Sequence, residues 1–243
     1  MIGLILAAGN GSRFIESYNA KQCKALIKIS NRVVLEYSLE NLFHLHVDRI
    51  LIVVGRYKPD IMEFVGDNYK NIPVDYVSQE IPYGLMNAFF KAVPYISDDV
   101  ALQLSDEIFL GCRTREVRQL WKNGAADFFC GITYETDKNS IKNNYSVKTD
   151  AAMHLLHCVE KPDTVTNHLK GTGFCIFSRT CLSELQEIYN ETANAPYDLC
   201  DFMNALTERG KTGRCVYVAD KEININTVAD FEYAQKTISE QEK

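Results

Sequence analysis

The chain has 243 residues, of which 46% are hydrophobic and 24% are charged, a balance that predicts one large α/β domain with an ordinary buried core. The net charge of -6 argues against a broad nucleic-acid surface, which needs a dense basic face. A nucleotide ligand remains compatible with this charge, because phosphate sites are built locally from backbone amides and a few cations.

The amino terminus and the cysteines predict a cytoplasmic protein. Residues 1–13 have the pattern of a first strand and its loop rather than of a signal peptide, and no apolar stretch is long enough to span a membrane. None of the eight cysteines forms a C-x-x-C pair, so a zinc ribbon or a thioredoxin-like site is not expected. Buried free thiols in a reducing compartment are the favoured interpretation.

The first half of the chain alternates strands and helices. Four short apolar runs are typical of buried strands: residues 2–7, 49–54, 74–77 and 100–104. Two amphipathic stretches between them, residues 32–45 and 84–93, predict helices. This β-α-β-α order predicts a mainly parallel sheet with helices on both faces.

The second half of the chain has a different order of strands and helices. Four strand-like segments follow one another with little helix between them: residues 127–133, 145–148, 154–159 and 173–177. Such a run predicts small antiparallel additions to the parallel sheet. Further helices are expected at residues 181–189, 197–209 and 228–239, with a late strand at residues 214–218. The absence of linker-like stretches predicts a single domain over residues 1–243.

The most informative segment is residues 4–13, in which a buried strand leads into Ala-Ala-Gly-Asn-Gly-Ser-Arg. Small residues allow backbone N–H groups to approach phosphate oxygens, and a fixed arginine such as Arg13 then neutralises their charge. The dinucleotide fingerprint G-x-G-x-x-G is excluded because Phe14 stands where the third glycine belongs, and the Gly-Lys-Ser/Thr of a P-loop does not occur. An ordinary strand-to-helix turn is the alternative interpretation.

This segment resembles the signature of the sugar-1-phosphate nucleotidyltransferase (nucleotide-diphospho-sugar transferase) superfamily: an apolar strand, Ala-Ala-Gly-x-Gly-Ser/Thr-Arg, then a lysine. Lys24 supplies that lysine, and Lys21 is its rival. The resemblance implies a Rossmann-like three-layer α/β/α fold in which Arg13 and Lys24 are catalytic, by stabilising charge on the α-phosphate and the departing pyrophosphate. It also implies nucleotide contacts from the strand end and loop, at Leu6, Ala8, Gly9 and Gly11.

Two later segments extend the resemblance within the first half, residues 1–125, which would mainly bind the NTP. Gln79 precedes Gly84 by five residues, as in relatives where such a pair reads the base edge, and an amide suits the imide of uracil or thymine. Asp106 follows the strand at residues 100–104, where relatives use an aspartate to bind Mg²⁺. A turn before a helix and a simple turn cap are the respective alternatives.

The second half, residues 126–243, resembles the acceptor-binding half of the superfamily. Glu160 and Lys161 stand in a Glu-Lys-Pro sequence, in which the family's glutamate takes sugar hydroxyls and its lysine contacts the acceptor phosphate. Gly173 lies in a Gly-Thr-Gly-Phe sequence that resembles the strand lining the sugar pocket. An exposed ion pair at a strand end is the alternative for the first motif.

The last motif resembles the family's second metal position. Many relatives have an aspartate there, whereas this chain has Asn224 and Asn226. An amide oxygen binds magnesium more weakly than a carboxylate, and Asn226 is the favoured ligand. Both asparagines could instead form a capping turn before the helix that begins at Val228.

The resemblance implies a magnesium-dependent nucleotidyltransferase that joins an NTP, with UTP or dTTP favoured, to a sugar 1-phosphate and releases pyrophosphate. A cytidylyltransferase for a non-sugar phosphate or phosphonate is the first alternative, and a guanylyltransferase of the cofactor-assembly kind is another. A catalytically silent nucleotide-sugar sensor is the alternative from a different class. Partners are therefore an NTP and a small phosphorylated acceptor, without nucleic acid or membrane, and the sequence leaves a homo-oligomer open.

Overall fold

The computed structural model describes residues 1–9, 23–81, 83–124, 126–191 and 198–241. Within these ranges the strands are β1 (Ile2–Ala7), β2 (Lys28–Ile29), β3 (Arg32–Val33), β4 (Arg49–Val54), β5 (Asn68–Tyr69), β6 (Ile72–Ser78), β7 (Val100–Leu104), β8 (Glu107–Leu110), β9 (Phe128–Tyr134), β10 (Tyr145–Thr149), β11 (Leu155–Glu160), β12 (Leu169–Phe177), β13 (Gly213–Tyr217) and β14 (Lys221–Asn224). The α-helices are α1 (Val34–His44), α2 (Lys58–Val65), α3 (Leu85–Ala92), α4 (Thr114–Lys122), α5 (Lys138–Lys142), α6 (Arg179–Glu191), α7 (Leu199–Glu208) and α8 (Val228–Gln241).

One large mixed sheet forms the centre of the fold. Its strand order is β11-β10-β12-β7-β1-β4-β6-β5, and β9 joins it beside β12 with β13 on its far side. Strands β7, β1, β4 and β6 run parallel, as the alternation of strands and helices predicted. Strand β12 continues the sheet antiparallel to β7, and β9 and β10 are antiparallel to β12. The predicted mixed sheet with antiparallel strands in the second half is confirmed.

The two faces of this sheet belong to two separate cores. Alternate residues of β1 point to opposite faces, so Leu4 and Leu6 lie in one core while Ile5 and Ala7 lie in the other. Helices α3, α6 and α7 contribute to the first core, and α1, α2 and α4 to the second. The predicted three-layer α/β/α arrangement is therefore confirmed, and it explains why the central strands are apolar on both faces.

The sequence did not predict helices α2 and α4, which are short or polar. Helix α2 spans only eight residues and has a proline in its first turn. Helix α4 buries only Thr114 and Val117 among its nine residues. In α4, however, Val117, Leu120 and Trp121 stand at helical spacing, so this helix left a periodic signal that the prediction did not use.

A small two-stranded sheet, separate from the three layers, lies beyond the end of β7. Strand β8 pairs antiparallel with β14, and this pair packs with α8 around a separate apolar cluster that includes Ile108, Ile223 and Phe231. In this register Glu107 lies opposite Asn224. The pairing brings the segment after β7 next to the asparagine-rich segment near the carboxyl terminus.

The cysteines are all free thiols, and only Cys112 is more than marginally accessible. Cys130 lies between Cys175 and Cys215 on the neighbouring strands β12 and β13. The expectation of buried free thiols is confirmed, and the described residues contain no group of three or more His, Cys, Asp or Glu side chains arranged to hold a metal. Within the described ranges, every helix is too short or too polar to cross a bilayer.

Candidate active site

The parallel strands place several predicted site residues at one edge of the sheet. Strands β1, β6 and β7 all end at this edge, because parallel neighbours share the same direction. The backbone N–H of Gln79 donates to the carbonyl of Val54 at 2.8 Å, and that of Ser105 donates to the carbonyl of Leu6 at 3.4 Å. The segments that leave these strands are therefore tied together at the point where open α/β sheets bind ligands.

A cavity of about 260 Å³ opens at this edge. Its lining is Leu6, Ala7, Ala8, Gly9, Cys23, Lys24, Ala25, Gln79, Gly84, Leu85, Ala88, Leu104, Ser105 and Asp106. The structure thus brings together seven residues predicted for nucleotide, phosphate or metal contacts, namely Leu6, Ala8, Gly9, Lys24, Gln79, Gly84 and Asp106. Arg13, Gly11 and Lys21 lie outside the described residues, so their roles stay predictions.

Lys24 and Asp106 form an ion pair in this cavity. The Lys24 ammonium lies 2.5 Å from Oδ2 of Asp106, and the two side chains are 15% and 20% exposed. Lys24 begins a short 3-10 turn whose next two residues, Ala25 and Leu26, are buried in the core beneath the sheet. These buried neighbours anchor the backbone of Lys24 against the core.

The β8–β14 pairing brings the segment that carries Asn226 alongside Asp106. The backbone N–H of Ile225, directly before Asn226, donates to the carbonyl of Asp106 at 2.9 Å. The backbone N–H of Asn226 donates to Oδ2 of Asp230 at 3.0 Å. Thr227 and Asp230 make the other hydrogen bonds of the turn before α8, so this turn uses the backbone of Asn226 rather than its amide.

Glu107 is a buried carboxylate directly behind Asp106. Its Oε1 accepts the backbone N–H of Gly173 at 2.7 Å, and its Oε2 accepts a hydrogen bond from the side chain of Gln103 at 3.2 Å. Burial, with repulsion from Glu222 and Asp106, raises the pKa of Glu107 well above its usual range. Because the N–H of Gly173 is already used, this glycine joins β12 to the Asp106 turn, and its predicted contact with an acceptor stays a prediction.

A second buried carboxylate, Glu222, is paired with Lys170. The Lys170 ammonium lies 2.6 Å from Oε2 of Glu222, and the side chains are only 3% and 0% exposed. The same ammonium donates to Oγ of Ser140 at 3.1 Å. Burial raises the pKa of Glu222 although Lys170 opposes the shift. Sequence patterns did not single out this pair. Lys170 is a charged residue in the largely apolar strand β12, but Glu222 stands among polar residues in β14 and gives no local signal.

The predicted acceptor residues Glu160 and Lys161 lie at the end of β11 and do not line the cavity of Lys24 and Asp106. Their side chains are 37% and 63% exposed, and Nζ of Lys161 is 3.8 Å from Oε1 of Glu160. The backbone N–H of Lys161 donates to the carbonyl of Asn144 at 2.7 Å. Burial and the charge of Asp198 raise the pKa of Glu160. The pair is thus accessible to a ligand at the end of β11.

The whole chain also matches a known family. The sequence model described as nucleotidyl transferase matches residues 2–235. The chain belongs to the nucleotidyl transferase family. It is therefore an enzyme of the nucleotidyltransferase class, and the resemblance inferred from its motifs is confirmed.

Individual relatives of this nucleotidyltransferase act on glucose 1-phosphate, according to their names. UTP–glucose-1-phosphate uridylyltransferase AglF of Haloferax volcanii is 22% identical over 99% of this chain and 98% of AglF. A glucose-1-phosphate thymidylyltransferase of Streptomyces griseus is 24% identical over 95% of this chain, which spans 64% of that longer protein. The crystal structure of UDP-glucose pyrophosphorylase complexed with UDP-glucose has a TM-score of 0.82 at 17% identity and covers 99% of this chain and 98% of its own, a likeness that shows the fold.

The buried ion pair of the nucleotidyltransferase predicts a pH-dependent stability defect. Replacing Lys170 with methionine leaves Glu222 without its counter-charge and should lower the free energy of unfolding by about 3–5 kcal/mol near pH 8. When the pKa of a carboxyl is raised in the folded state, the free energy of unfolding falls as the pH rises above the ordinary pKa of that carboxyl. The defect of Lys170→Met should therefore be smaller at pH 5 than at pH 8, as measured by urea unfolding.

The exposed Lys91 supplies a matched control for this variant. Lys91→Met should change the unfolding free energy by less than about 0.5 kcal/mol at either pH. A Lys170→Met defect of equal size at pH 5 and pH 8 would show that lost packing, and not the unpaired carboxylate, is responsible.

Proposed function

We propose that this nucleotidyltransferase joins UTP or dTTP to a sugar 1-phosphate and releases pyrophosphate. The observation that carries the proposal is that one cavity holds the Lys24–Asp106 pair together with Gln79 and Gly84. A cation suits a triphosphate and a carboxylate suits a metal ion bound to it, whereas an amide and a glycine suit the edge of a base. The names of the Haloferax and Streptomyces relatives support a uridylyl or thymidylyl transfer to a glucose 1-phosphate.

The proposed reaction is an in-line displacement at the α-phosphorus. An oxygen of the acceptor phosphate forms a bond to that phosphorus while the bond to the pyrophosphate oxygen breaks, and pyrophosphate leaves with the electron pair. Both reactants are anions, so their repulsion is the main obstacle. Lys24, and Arg13 by the family resemblance, would offset charge on the α-phosphate and on the leaving group. A phosphate is already ionised at neutral pH, so no general base is required.

The acceptor contacts belong to the same proposal. Glu160 would accept hydrogen bonds from sugar hydroxyls, and Lys161 would neutralise the acceptor phosphate. Both side chains are accessible at the end of β11, as contact with an acceptor requires. Gly173 would contribute by holding strand β12 against the Asp106 turn.

The oxygen atoms around Asp106 fit a magnesium ion. Asp106 supplies one carboxylate. Asn226 directly follows Ile225, whose backbone N–H donates to the carbonyl of Asp106. Oδ1 of Asn224 is buried and has no hydrogen-bond partner among the described residues. Magnesium is often held by one or two carboxylates together with substrate phosphate oxygens, and when bound it neutralises and aligns those phosphates. We therefore propose Asp106 and Asn226 as protein ligands, with Asn224 as the other candidate.

A substrate panel tests the proposed function. The protein would be incubated with each of the four NTPs and with dTTP, crossed with sugar 1-phosphates and small phosphoesters, and scored by pyrophosphate release. We expect release with UTP or dTTP and a sugar 1-phosphate in the presence of Mg²⁺. Release only with CTP and a non-sugar phosphate would replace the proposal with a cytidylyltransferase. Nucleotide-sugar binding with no turnover in any combination would indicate a sensor.

Asp106 has the strongest predicted effect on turnover. Asp106→Ala should lower kcat at least about 100-fold, because it removes both the anchor of Lys24 and the single carboxylate proposed for the metal. The thermal midpoint should stay close to that of the wild type, since Asp106 is partly exposed at the edge of the sheet. The exposed Asp163 offers a control, and Asp163→Ala should leave kcat unchanged. An Asp106→Ala enzyme as active as the wild type would remove this assignment.

The asparagine at the second metal position predicts a gain-of-affinity variant. Asn226→Asp adds a negative ligand, so the Mg²⁺ concentration for half-maximal activity should fall on the order of tenfold, equivalent to about 1.4 kcal/mol. Measuring the same titration on Asn224→Asp distinguishes the two candidates. If only Asn224→Asp lowers the magnesium requirement, Asn224 is the ligand and Asn226 is not.

A further inference from the structure

Gln79 lies in a wall shared by two cavities. It is 4% exposed and lines the cavity of Lys24 and Asp106. It also lines a second cavity of about 470 Å³, to which Asn87 and Lys91 contribute. An amide in such a wall can present either its oxygen or its nitrogen to the nucleotide, and the two choices select different bases.

The hydrogen bonds of Gln79 decide which atom is presented. Its Nε2 donates to Oδ1 of Asn87 at 2.8 Å and to the carbonyl oxygen of Gly84 at 3.4 Å. A carbonyl can only accept, so the Gly84 contact identifies the atom that faces it as the nitrogen. Both hydrogens of the Gln79 amide are then engaged, and Oε1 is the atom left to meet a ligand.

Asn87 is itself held in place from the far side. Its Nδ2 donates to the hydroxyl of Tyr189 at 3.0 Å, which turns its Oδ1 toward Gln79. The ring of Tyr189 stacks on Phe90, with centroids 4.1 Å apart and planes 18° apart. Asn87 and Phe90 lie on α3, and Tyr189 lies on α6, so two packed helices determine the orientation of the Gln79 amide.

We propose that Asn87 is a specificity-determining residue, which holds Gln79 with Oε1 toward the nucleotide so that the site accepts the imide N3–H of uracil or thymine. Cytosine carries a lone pair at N3, and an acceptor facing that lone pair is repelled. The inference deepens the proposed function and rests on it, because it explains how this site would prefer UTP or dTTP over CTP. Asn87 acts through Gln79 and does not itself contact the base.

Two variants of nearly equal size separate this role from simple packing. Asn87→Asp keeps an acceptor for Nε2 of Gln79 but has no donor. It therefore excludes the alternative in which the side-chain amides of Gln79 and Asn87 are both rotated by 180°, so that Asn87 donates to Gln79. Asn87→Leu has no polar atom and leaves only the longer Gly84 contact to orient Gln79. A merely structural role predicts that both variants weaken UTP and CTP binding by the same factor.

The test measures equilibrium binding of UTP and of CTP by calorimetry, with the ratio of the two dissociation constants as the readout. For the wild type we expect UTP to bind at least about tenfold more tightly than CTP, the discrimination that one unpaired polar contact gives. Asn87→Asp should keep or increase this ratio. Asn87→Leu should lower it about tenfold, in part through tighter CTP binding. Lys91 lines the same second cavity, and Lys91→Ala should leave the ratio of the two dissociation constants unchanged.

The outcomes distinguish this inference from the proposed function. A wild-type ratio that favours UTP but is unaltered in Asn87→Leu would overturn the role of Asn87 and leave the proposed reaction standing. A wild-type preference for CTP would overturn both the orientation of Gln79 and the UTP or dTTP assignment. If Asn87→Leu does not fold, Asn87→Ala and Tyr189→Phe give the same comparison, since each removes one connection of the same network.

Discussion

The turn that carries Asp106 is fixed by three hydrogen bonds from different parts of the chain, and the candidate site is arranged around it. Ser105 is bonded to β1, the carbonyl of Asp106 accepts from the segment after β14, and Glu107 accepts the backbone N–H of Gly173 on β12. Each contact joins the turn to an element that carries another predicted site residue. In each of these hydrogen bonds the donor or the acceptor is a main-chain group. The position of Asp106 therefore depends on strand register more than on side-chain packing.

The charges near this turn are unequal. The charge of Asp106 contributes to the raised pKa values of Glu107 and Glu222, whereas the cations beside these carboxyls are Lys24 and Lys170. Lys170 is buried and committed to Glu222, so Lys24 is the cation of this pair that an incoming anion can reach. An anion that takes Lys24 leaves Asp106 without a counter-charge, and a bound cation would restore the balance. This coupling gives a physical reason why a triphosphate and a metal ion would enter such a site together.

The sequence predicted the strands and helices that have strong local signals, and it predicted which residues after the strands belong to the candidate site. Strands β1, β4 and β7 were predicted with their observed ends, and Lys24, Gln79 and Asp106 share one cavity as expected. What it could not predict depends on partners far apart in the chain. The burial of Lys170 against Glu222 and the bond from Glu107 to Gly173 exist only once β8, β12 and β14 have paired. The orientation of the Gln79 amide likewise depends on Tyr189, more than a hundred residues away. No local pattern encodes such contacts.

The position of β1 in the middle of the sheet has a consequence for synthesis on the ribosome. Ile2 pairs with Arg49 on one side and with Val100 on the other, so β1 acquires its second neighbour only after roughly a hundred further residues have been made. Until then an apolar strand has one open edge, which is a condition that favours aggregation. Contacts so distant in sequence also slow the search for the native pairing. The arrangement that gathers the site at the end of β1 therefore leaves one edge of that strand open in the nascent chain until β7 has been made.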